Sequence, residues 1–151
     1  MKARTLSALG LGLGLMMASL PLLAAENWLV YQRGPRLSLA IDRASLATQA
    51  DGLLHFVHEE RYAREMYEKK MDVRFFIRRT RVAVDCNKDL YAFTRSDYLD
   101  KERKPVFSGM FDIQRHAWQF LEVSADSMGE AMVTTACTLI NHPAYSLSTK
   151  P

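Results

Sequence analysis

Residues 73–86 have the sequence VRFFIRRTRVAVDC, which carries the strongest strand signal in the chain. The stretch is rich in β-branched and aromatic side chains, which favour extended backbone. Asn87-Lys88-Asp89 follows as a turn signal, and residues 90–95 (LYAFTR) then read as the next strand. We therefore expect a β-hairpin at the centre of the domain.

Three segments before this hairpin also carry strand signals. Residues 27–33 (NWLVYQR) and 36–42 (RLSLAID) flank Gly34-Pro35, a pair that is typical of turns. These residues predict a first hairpin. A second turn signal at Asp51-Gly52 precedes residues 53–58 (LLHFVH), where we expect another strand.

Residues 59–71 (EERYAREMYEKKM) fit two structures. Opposite charges stand four residues apart in this segment, which favours a short exposed helix. The pairs are Glu60/Arg64, Arg61/Glu65, Arg64/Glu68 and Glu65/Lys69. A charged hairpin arm is the competing interpretation, and the sequence leaves both open.

The C-terminal part changes from strand to helical periodicity. Residues 106–113 carry a weak strand signal and residues 118–123 (WQFLEV) a clearer one. Ser127 and Glu130 then have the spacing of a capping box, with Ser127 at the N-cap and Glu130 at N3. Apolar residues recur on one helical face as far as the predicted helix end at residues 141–143. They are Met132, Val133, Ala136, Cys137 and Ile140.

Cys86 and Cys137 are the two cysteines of the chain. In a small exported domain an even pair most simply forms a disulfide, and two free buried thiols are the alternative. The bond would pin the C-terminal helix to the end of the long strand. We therefore predict an α+β fold: an antiparallel meander of about six strands, with one helix packed on one face.

The alternation of side chains along residues 73–86 predicts which of them lie on each face of the sheet. If Cys86 points to the helix, alternate residues do the same, namely Val84, Val82, Thr80, Arg78 and Phe76. Ala83, Arg81, Arg79, Ile77 and Phe75 then point away. A β-bulge would swap the faces beyond it.

The second face mixes arginines with Phe75 and Ile77, which a single helix cannot cover. Exposed apolar groups framed by cations mark interfaces, so we expect this face to self-associate or to capture a partner. The alternative is that the arginines only keep a half-exposed strand soluble.

Residues 1–25 have the three parts of a secretory signal peptide, which leaves residues 26–151 as a single domain. Lys2 and Arg4 form the basic region, and an apolar run of residues 6–20 ends in small residues. The run is short and rich in glycine, which disfavours the competing interpretation as a membrane anchor. No cysteine lies near the cleavage site, so we expect no lipid anchor and a periplasmic or secreted protein.

The composition excludes several classes of function. Without Lys2 and Arg4, 18 basic residues stand against 17 acidic ones, so nothing in the charge favours nucleic-acid binding. His55 and His58 would point to opposite faces of a strand, and a zinc site needs three or four ligands. The chain contains no glycine-rich phosphate loop, Gly-x-Ser-x-Gly elbow or His-Glu-x-x-His motif. We therefore expect neither an enzyme nor a bound cofactor or metal.

Motifs along almost the whole of residues 26–151 resemble the surface-adhesin protein E family of Gram-negative bacteria. They begin with Trp28 and with Ile41-Asp42 before a turn of small residues. A strand ending in Val84-Asp85-Cys86 follows, with Tyr91 shortly after it. Trp118 then precedes a helix that starts at Ser127 and carries Cys137.

The resemblance implies an antiparallel sheet with a disulfide-tethered C-terminal helix. It also implies a non-enzymatic domain that binds host extracellular proteins, with dimers known in the family. The ligand-binding stretch would run from Arg78-Arg79-Thr80-Arg81 through Lys88 to Tyr91. The family's adhesin is a surface lipoprotein, whereas this chain lacks a lipid-attachment cysteine. The alternative function is that of an accessory protein of an envelope or secretion system, with a bacterial envelope protein as partner.

Overall fold

A computed structural model describes residues 27–109 and 113–142, which form an antiparallel sheet of seven strands and one α-helix. The strands are β1 (Trp28–Arg33), β2 (Leu37–Thr48), β3 (Leu54–Glu68), β4 (Val73–Asp85), β5 (Leu90–Leu99), β6 (Pro105–Ser108) and β7 (Leu121–Glu122). The first six follow one another as a meander in sequence order, and β7 pairs with β5. The helix, α1, spans Met128–Asn141. The predicted fold class is confirmed.

The hairpins form where the turn residues place them. Gly34 lies between β1 and β2, and its N–H donates to the Leu37 carbonyl at 2.9 Å. Gly52 has a φ of 77° in the turn before β3, a conformation that glycine adopts without strain. Asp89 has a φ of 52° in the turn between β4 and β5. The first and central hairpins are therefore confirmed.

Residues 59–71 continue β3 and form a charged hairpin arm. β3 and β4 stay paired as far as Glu68 and Val73, beyond the last contact of β3 with β2 at Leu37 and Tyr62. A helix here would have gained only a few tenths of a kcal/mol from each side-chain pair. Pairing with β4 supplies ladder hydrogen bonds on both sides of an irregularity between Arg61 and Met66, and the hairpin-arm interpretation is correct.

α1 begins and is anchored as predicted. The Ser127 hydroxyl accepts a hydrogen bond from the Glu130 N–H at 3.1 Å, and the Glu130 carboxylate accepts one from the Asp126 N–H at 2.7 Å. Cys86 and Cys137 form a disulfide with their Cα atoms 5.9 Å apart. The bond ties α1 to the end of β4.

The hydrophobic core lies between α1 and the adjacent face of the sheet, which we call the helix face. The core consists of Ile41, Leu46, Leu54, Phe56, Val82, Val84, Met132, Val133 and Ala136. Val82 and Val84 therefore point to the helix, as the position of Cys86 predicts. In the part of the chain that the structure describes, no helix has the length and apolar character of a membrane span.

The opposite side of the sheet, the outer face, is defined by two rows of residues in register. One row is Trp28, Asp42, Val57, Arg81 and Arg95, and the other is Ala40, Glu59, Arg79 and Asp97. β4 pairs with β3 without a break from Ile77 to Val84. The bulge beside Arg81 lies in β5, where Thr94 is the extra residue. Arg79 and Arg81 therefore share the outer face, as predicted.

The region between β6 and α1 differs from the prediction. Only Leu121 and Glu122 of the strand expected at residues 118–123 pair with β5. Trp118 instead follows a 3₁₀ turn at Arg115–Ala117. The predicted strand at 106–113 is limited to β6 among the described residues, and residues 110–112 of that prediction lie outside them. Isolated backbone hydrogen bonds from Ile113 and Val123, together with the ion pair of Arg115 and Asp51, hold this segment to the sheet.

Candidate binding surface on the outer face

The residues predicted to bind a partner do not form one surface. Phe75 and Ile77 were expected to be exposed, and each is only 5% exposed. The Phe75 ring packs against the edges of Tyr62 and Tyr98, with ring centroids 5.7 and 4.8 Å away. Ile77 pairs in register with Leu99, which is equally buried. Both side chains therefore belong to the interior, and their predicted exposure is wrong.

Arg78 lies on the helix face and is engaged by a buried carboxylate. One of its terminal nitrogens donates to both oxygens of Glu60 at 2.7 Å. The Tyr62 hydroxyl donates to the same carboxylate. Burial and this hydrogen bond to Glu60 raise the pKa of Tyr62 far above its usual value. Arg78 thus neutralises an internal charge.

Arg79 lies on the outer face and takes part in a similar network around Glu59. The Glu59 side chain is fully buried and accepts hydrogen bonds from Arg61, Arg79 and Arg103. The guanidinium of Arg79 lies 5.2 Å from the ring centroid of Trp28, and that of Arg103 lies 6.0 Å from it. Cations stack favourably on indole at such distances. Trp28 therefore covers a cluster of arginines that surrounds one carboxylate.

Arg81 is the arginine of β4 whose side chain is exposed on the outer face. It lies beside the β5 bulge, where the Thr94 hydroxyl donates to the Arg81 carbonyl at 3.3 Å. Bulges locally reorient side chains and occur often beside functional sites. Of the predicted residues, Arg81 is the one best placed to meet a partner.

Lys88 and Tyr91 lie away from this face. Lys88 is exposed in the turn after β4, and its ammonium is 3.5 Å from the Asp85 carboxylate. Tyr91 pairs in register with Val84 on the helix face, and a side chain at Gly129 would meet its ring at 3.0 Å. The Tyr91 ring is thus packed on the first turn of α1.

A cleft of about 550 Å³ opens next to Arg81, between the sheet and the segment before β7. Val57 supplies an apolar side chain to its lining, and Phe56 and Val82, whose side chains point to the helix face, also border it. Its polar and aromatic lining is Ser45, Gln49, Asp51, His55, Arg81, Thr94, Arg115 and Trp118. We call this cavity the Trp118 cleft.

Contacts between distant parts of the chain form the wall of the Trp118 cleft. The Arg115 guanidinium lies 4.7 Å from the ring centroid of Trp118 and donates to Asp51. The indole N–H of Trp118 donates to the Ile113 carbonyl at 2.6 Å, and the Ile113 N–H donates to the Thr94 carbonyl at 2.9 Å. The wall is therefore fastened to both β5 and the turn before β3.

The carboxylate at the rim of this cleft is held in its charged form. Partial burial acts to raise the pKa of Asp51, but the Leu53 N–H, His55 and Arg115 together hold it below its usual value. The imidazole of His55 is 3.0 Å from the Asp51 carboxylate and 5.8 Å from the Trp118 ring, measured between ring centroids. The negative charge of Asp51 is thus already balanced by the protein.

A smaller hollow of about 200 Å³ lies on the same face and also contacts Arg81. Its lining is Trp28, Asp42, Val57, Arg79, Arg81 and Asp97, and we call it the Trp28 hollow. Val57 and Arg81 line both cavities. The two cavities therefore meet at the centre of the outer face, and each contains one tryptophan and one arginine besides Arg81.

The two histidines of β3 lie on opposite faces, as predicted. His55 contacts Trp118, whereas Nε2 of His58 is 2.8 Å from the Tyr31 hydroxyl near the core. Burial lowers the pKa of His58 to about 4, so its ring is neutral near pH 7. Within residues 27–109 and 113–142, no three His, Cys, Asp or Glu side chains converge as a metal site would require.

The sequence interpretation missed the Trp118 cleft as a site. Asp51 was read as a turn residue and Trp118 as part of a strand. The ion pair that joins them through Arg115 spans 64 residues. No local periodicity reveals a contact at that separation, and the order of the two tryptophans along the chain was the only available signal.

Comparisons with known proteins identify no relative. The sequence matches no protein-family profile, and neither a curated protein nor a solved structure matches the chain. The likeness to the protein E adhesins stays a prediction that rests on the motifs named above.

Proposed function

We propose that this chain is an exported, non-enzymatic protein-binding domain that captures its partner on the outer face, in the manner of the protein E adhesins. The observation that carries the proposal is the Trp118 cleft, which places Trp118 beside the exposed Arg81. Tryptophan and arginine are enriched among the residues that dominate the binding energy of protein interfaces.

The shape of the cleft supports a protein ligand. Gln49, Asp51, Arg81 and Arg115 are all exposed, so the rim is open to solvent and polar. Val57 and Trp118 form an apolar interior. An apolar centre inside a polar rim is the usual anatomy of a protein interface.

Export is supported by the disulfide and by the apolar leader at residues 1–25. Disulfides persist in oxidising compartments such as the periplasm and the extracellular space. The partner is then a host extracellular matrix or serum protein, or a protein of the bacterial envelope.

Site-specific photocrosslinking in the producing cells tests the proposal. A photoreactive amino acid at Gln49, on the cleft rim, should give a discrete adduct with another polypeptide. The adduct should disappear when Trp118→Ala is added, while the thermal melting temperature stays close to that of the parent. The matched control position is Met128, which is half exposed at the start of α1.

The position of the adducts decides the outcome. Equal adducts from Gln49 and Met128, or none from Gln49 in cells or with host matrix added, would contradict the proposal. Protease treatment of intact cells then separates the two partner classes. A host-binding protein must be cleaved on intact cells, and an envelope accessory protein must be protected.

A further inference from the structure

The outer face joins its two cavities into one track with a tryptophan on each side of Arg81. Trp118 lines one cavity and Trp28 the other, and they are the two tryptophans of the chain. Val57 and Arg81 form the boundary that both cavities share. A ligand that fills both cavities must therefore pass over Arg81.

The charges named on this face leave an excess of two positive charges. The six arginines are Arg61, Arg79, Arg81, Arg95, Arg103 and Arg115, and the four carboxylates are Asp42, Asp51, Glu59 and Asp97. Asp51 and Glu59 already accept hydrogen bonds from arginines. Asp97 accepts from Arg95 at 3.2 Å, and Asp42 accepts from the Ala44 N–H at 3.0 Å. The four carboxylates thus balance four of the six guanidinium charges, and the outer face around the exposed Arg81 keeps a net positive charge.

We propose that this track binds an extended acidic segment of the protein partner, with a ligand carboxylate on Arg81 and apolar ligand side chains against Trp118 and Trp28. The inference rests on the proposed function and names its ligand chemistry. A planar guanidinium binds a carboxylate through paired hydrogen bonds. The tryptophans supply large rigid contact areas on both sides of that pair.

The geometry of an extended peptide sets the spacing of the ligand groups. Side chains at positions i, i+2 and i+4 of an extended strand point to the same side. In the proposed complex the middle side chain carries the carboxylate that faces Arg81, and the outer two side chains enter the two cavities. The defined probe is the blocked peptide acetyl-Phe-Gly-Asp-Gly-Phe-amide, in which the three side chains have this spacing.

Intrinsic fluorescence measures binding in each cavity separately. Trp28→Phe leaves Trp118 as the reporter, and Trp118→Phe leaves Trp28. Both variants should show a saturable change with the probe, because Phe keeps an apolar contact in the cavity where the tryptophan is replaced. Replacing the Asp of the probe by Asn should weaken binding roughly tenfold, the loss expected for one charge-assisted pair, and Lys should weaken it further.

Variants of Arg81 test whether this residue binds the carboxylate of the probe. Arg81→Gln should remove the preference for the Asp probe over the Asn probe, and Arg81→Lys should retain part of it. Arg36→Gln, an exposed arginine before β2, is the matched control and should leave the preference unchanged. If only the Arg81 variants lose the preference for the Asp probe, Arg81 and the probe carboxylate are energetically coupled. A general loss of folding would not produce this pattern.

Three results would overturn the inference. They are equal binding of the Asp and Asn probes, a saturable change at only one tryptophan, and no saturable change at the highest soluble probe concentration. Displacement of the probe by a sulfated disaccharide as readily as by unlabelled peptide would show a general anion surface instead. If the crosslink from Gln49 still depends on Trp118 in any of these cases, the partner binds there by other chemistry and only this inference fails.

Discussion

Glu59 and Glu60 are neighbours in the sequence and lie on opposite faces of the sheet. Each is buried and is met by an arginine of β4, Glu59 by Arg79 and Glu60 by Arg78. A slip of one residue between β3 and β4 would move both carboxylates to the wrong face. The two pairs therefore fix the register of the longest hairpin.

Replacing Glu59 should be strongly destabilising. Glu59→Gln keeps the shape of the side chain but leaves Arg61, Arg79 and Arg103 without their shared carboxylate. We expect a loss of about 3–5 kcal/mol in the free energy of unfolding, measured by urea denaturation. Glu65→Gln is the control, because Glu65 and Arg74 form an exposed pair that contributes less than about 1 kcal/mol. Equal losses from the two variants would refute the structural role of Glu59.

His58 should make the domain less stable in mild acid. Its pKa is about 4 when folded, because of burial, and about 6.5 when unfolded. Between these values the unfolded chain binds a proton that the folded chain does not. Stability is thus complete above pH 6.5 and decreases as the pH falls towards 4, by about 3 kcal/mol in total from this group.

Urea denaturation at several pH values checks the effect of His58. His58→Gln should have a shallower dependence of unfolding free energy on pH over this range than the parent. The control variant, Thr134→Gln, changes an exposed residue that does not titrate and should keep the parental slope. An unchanged slope in His58→Gln would show that other groups cause the acid sensitivity.

Among the strands, helix and turns, the features set by local residue types were predicted correctly from the sequence. The alternation in β4 and the apolar stripe of α1 correctly placed Val82, Val84 and Cys137 at the core. The turns at Gly34 and Asp89 form as their residue types indicate. These features depend on neighbours in sequence or on a strict period, and both are visible in a single chain.

The predicted exposure of Phe75 and Ile77 is wrong because it depends on contacts across the sheet, which a single sequence does not display. Whether Arg78 and Arg79 face solvent or a partner depends on which residues of β3 lie opposite them. In the helical alternative for residues 59–71, Glu60 would pair with Arg64, whereas its actual partner is Arg78. Ile77 and Phe75 are likewise covered by residues that sequence distance hides, such as Leu99 and Tyr98.

The disulfide is the strongest single tie between α1 and the sheet. Its cysteines are 51 positions apart, and the chain-entropy estimate for such a loop is about 4 kcal/mol. Cys86→Ala combined with Cys137→Ala should lower the unfolding free energy by about that amount. A reductant should lower the stability of the parent to the same level and leave the double variant unchanged. A parent that is insensitive to reductant would contradict this.

For the whole chain, we predict that residues 1–25 are removed as a signal peptide on export. The exported protein should begin at Ala25 or Glu26, because the small residues before them suit signal peptidase. It should also carry no lipid. N-terminal sequencing and intact mass of the exported protein measure both. An exported product that retains residues 1–25 would restore the membrane-anchor interpretation.

Self-association of the domain also stays a prediction. Because Ile77 is buried, Ile77→Glu would unfold the domain and cannot report on an interface. Arg81→Glu changes an exposed side chain of the same face and should preserve the fold. If the outer face joins two copies, sedimentation should show a dimer that Arg81→Glu weakens. A dimer indifferent to this change would place the contact elsewhere.

The position of the disulfide determines which parts of the domain bear a mechanical load. A pull on the two ends of the chain can unzip β1 to β4, but it cannot stretch the residues between Cys86 and Cys137. The disulfide prevents the extension of about 180 Å of chain, at 3.6 Å for each of the 51 positions. Tension therefore passes through the sulfur atoms, while β5, β6 and β7 stay out of the loaded path. Single-molecule pulling should show one extension in oxidising buffer and a further extension of about 180 Å after reduction.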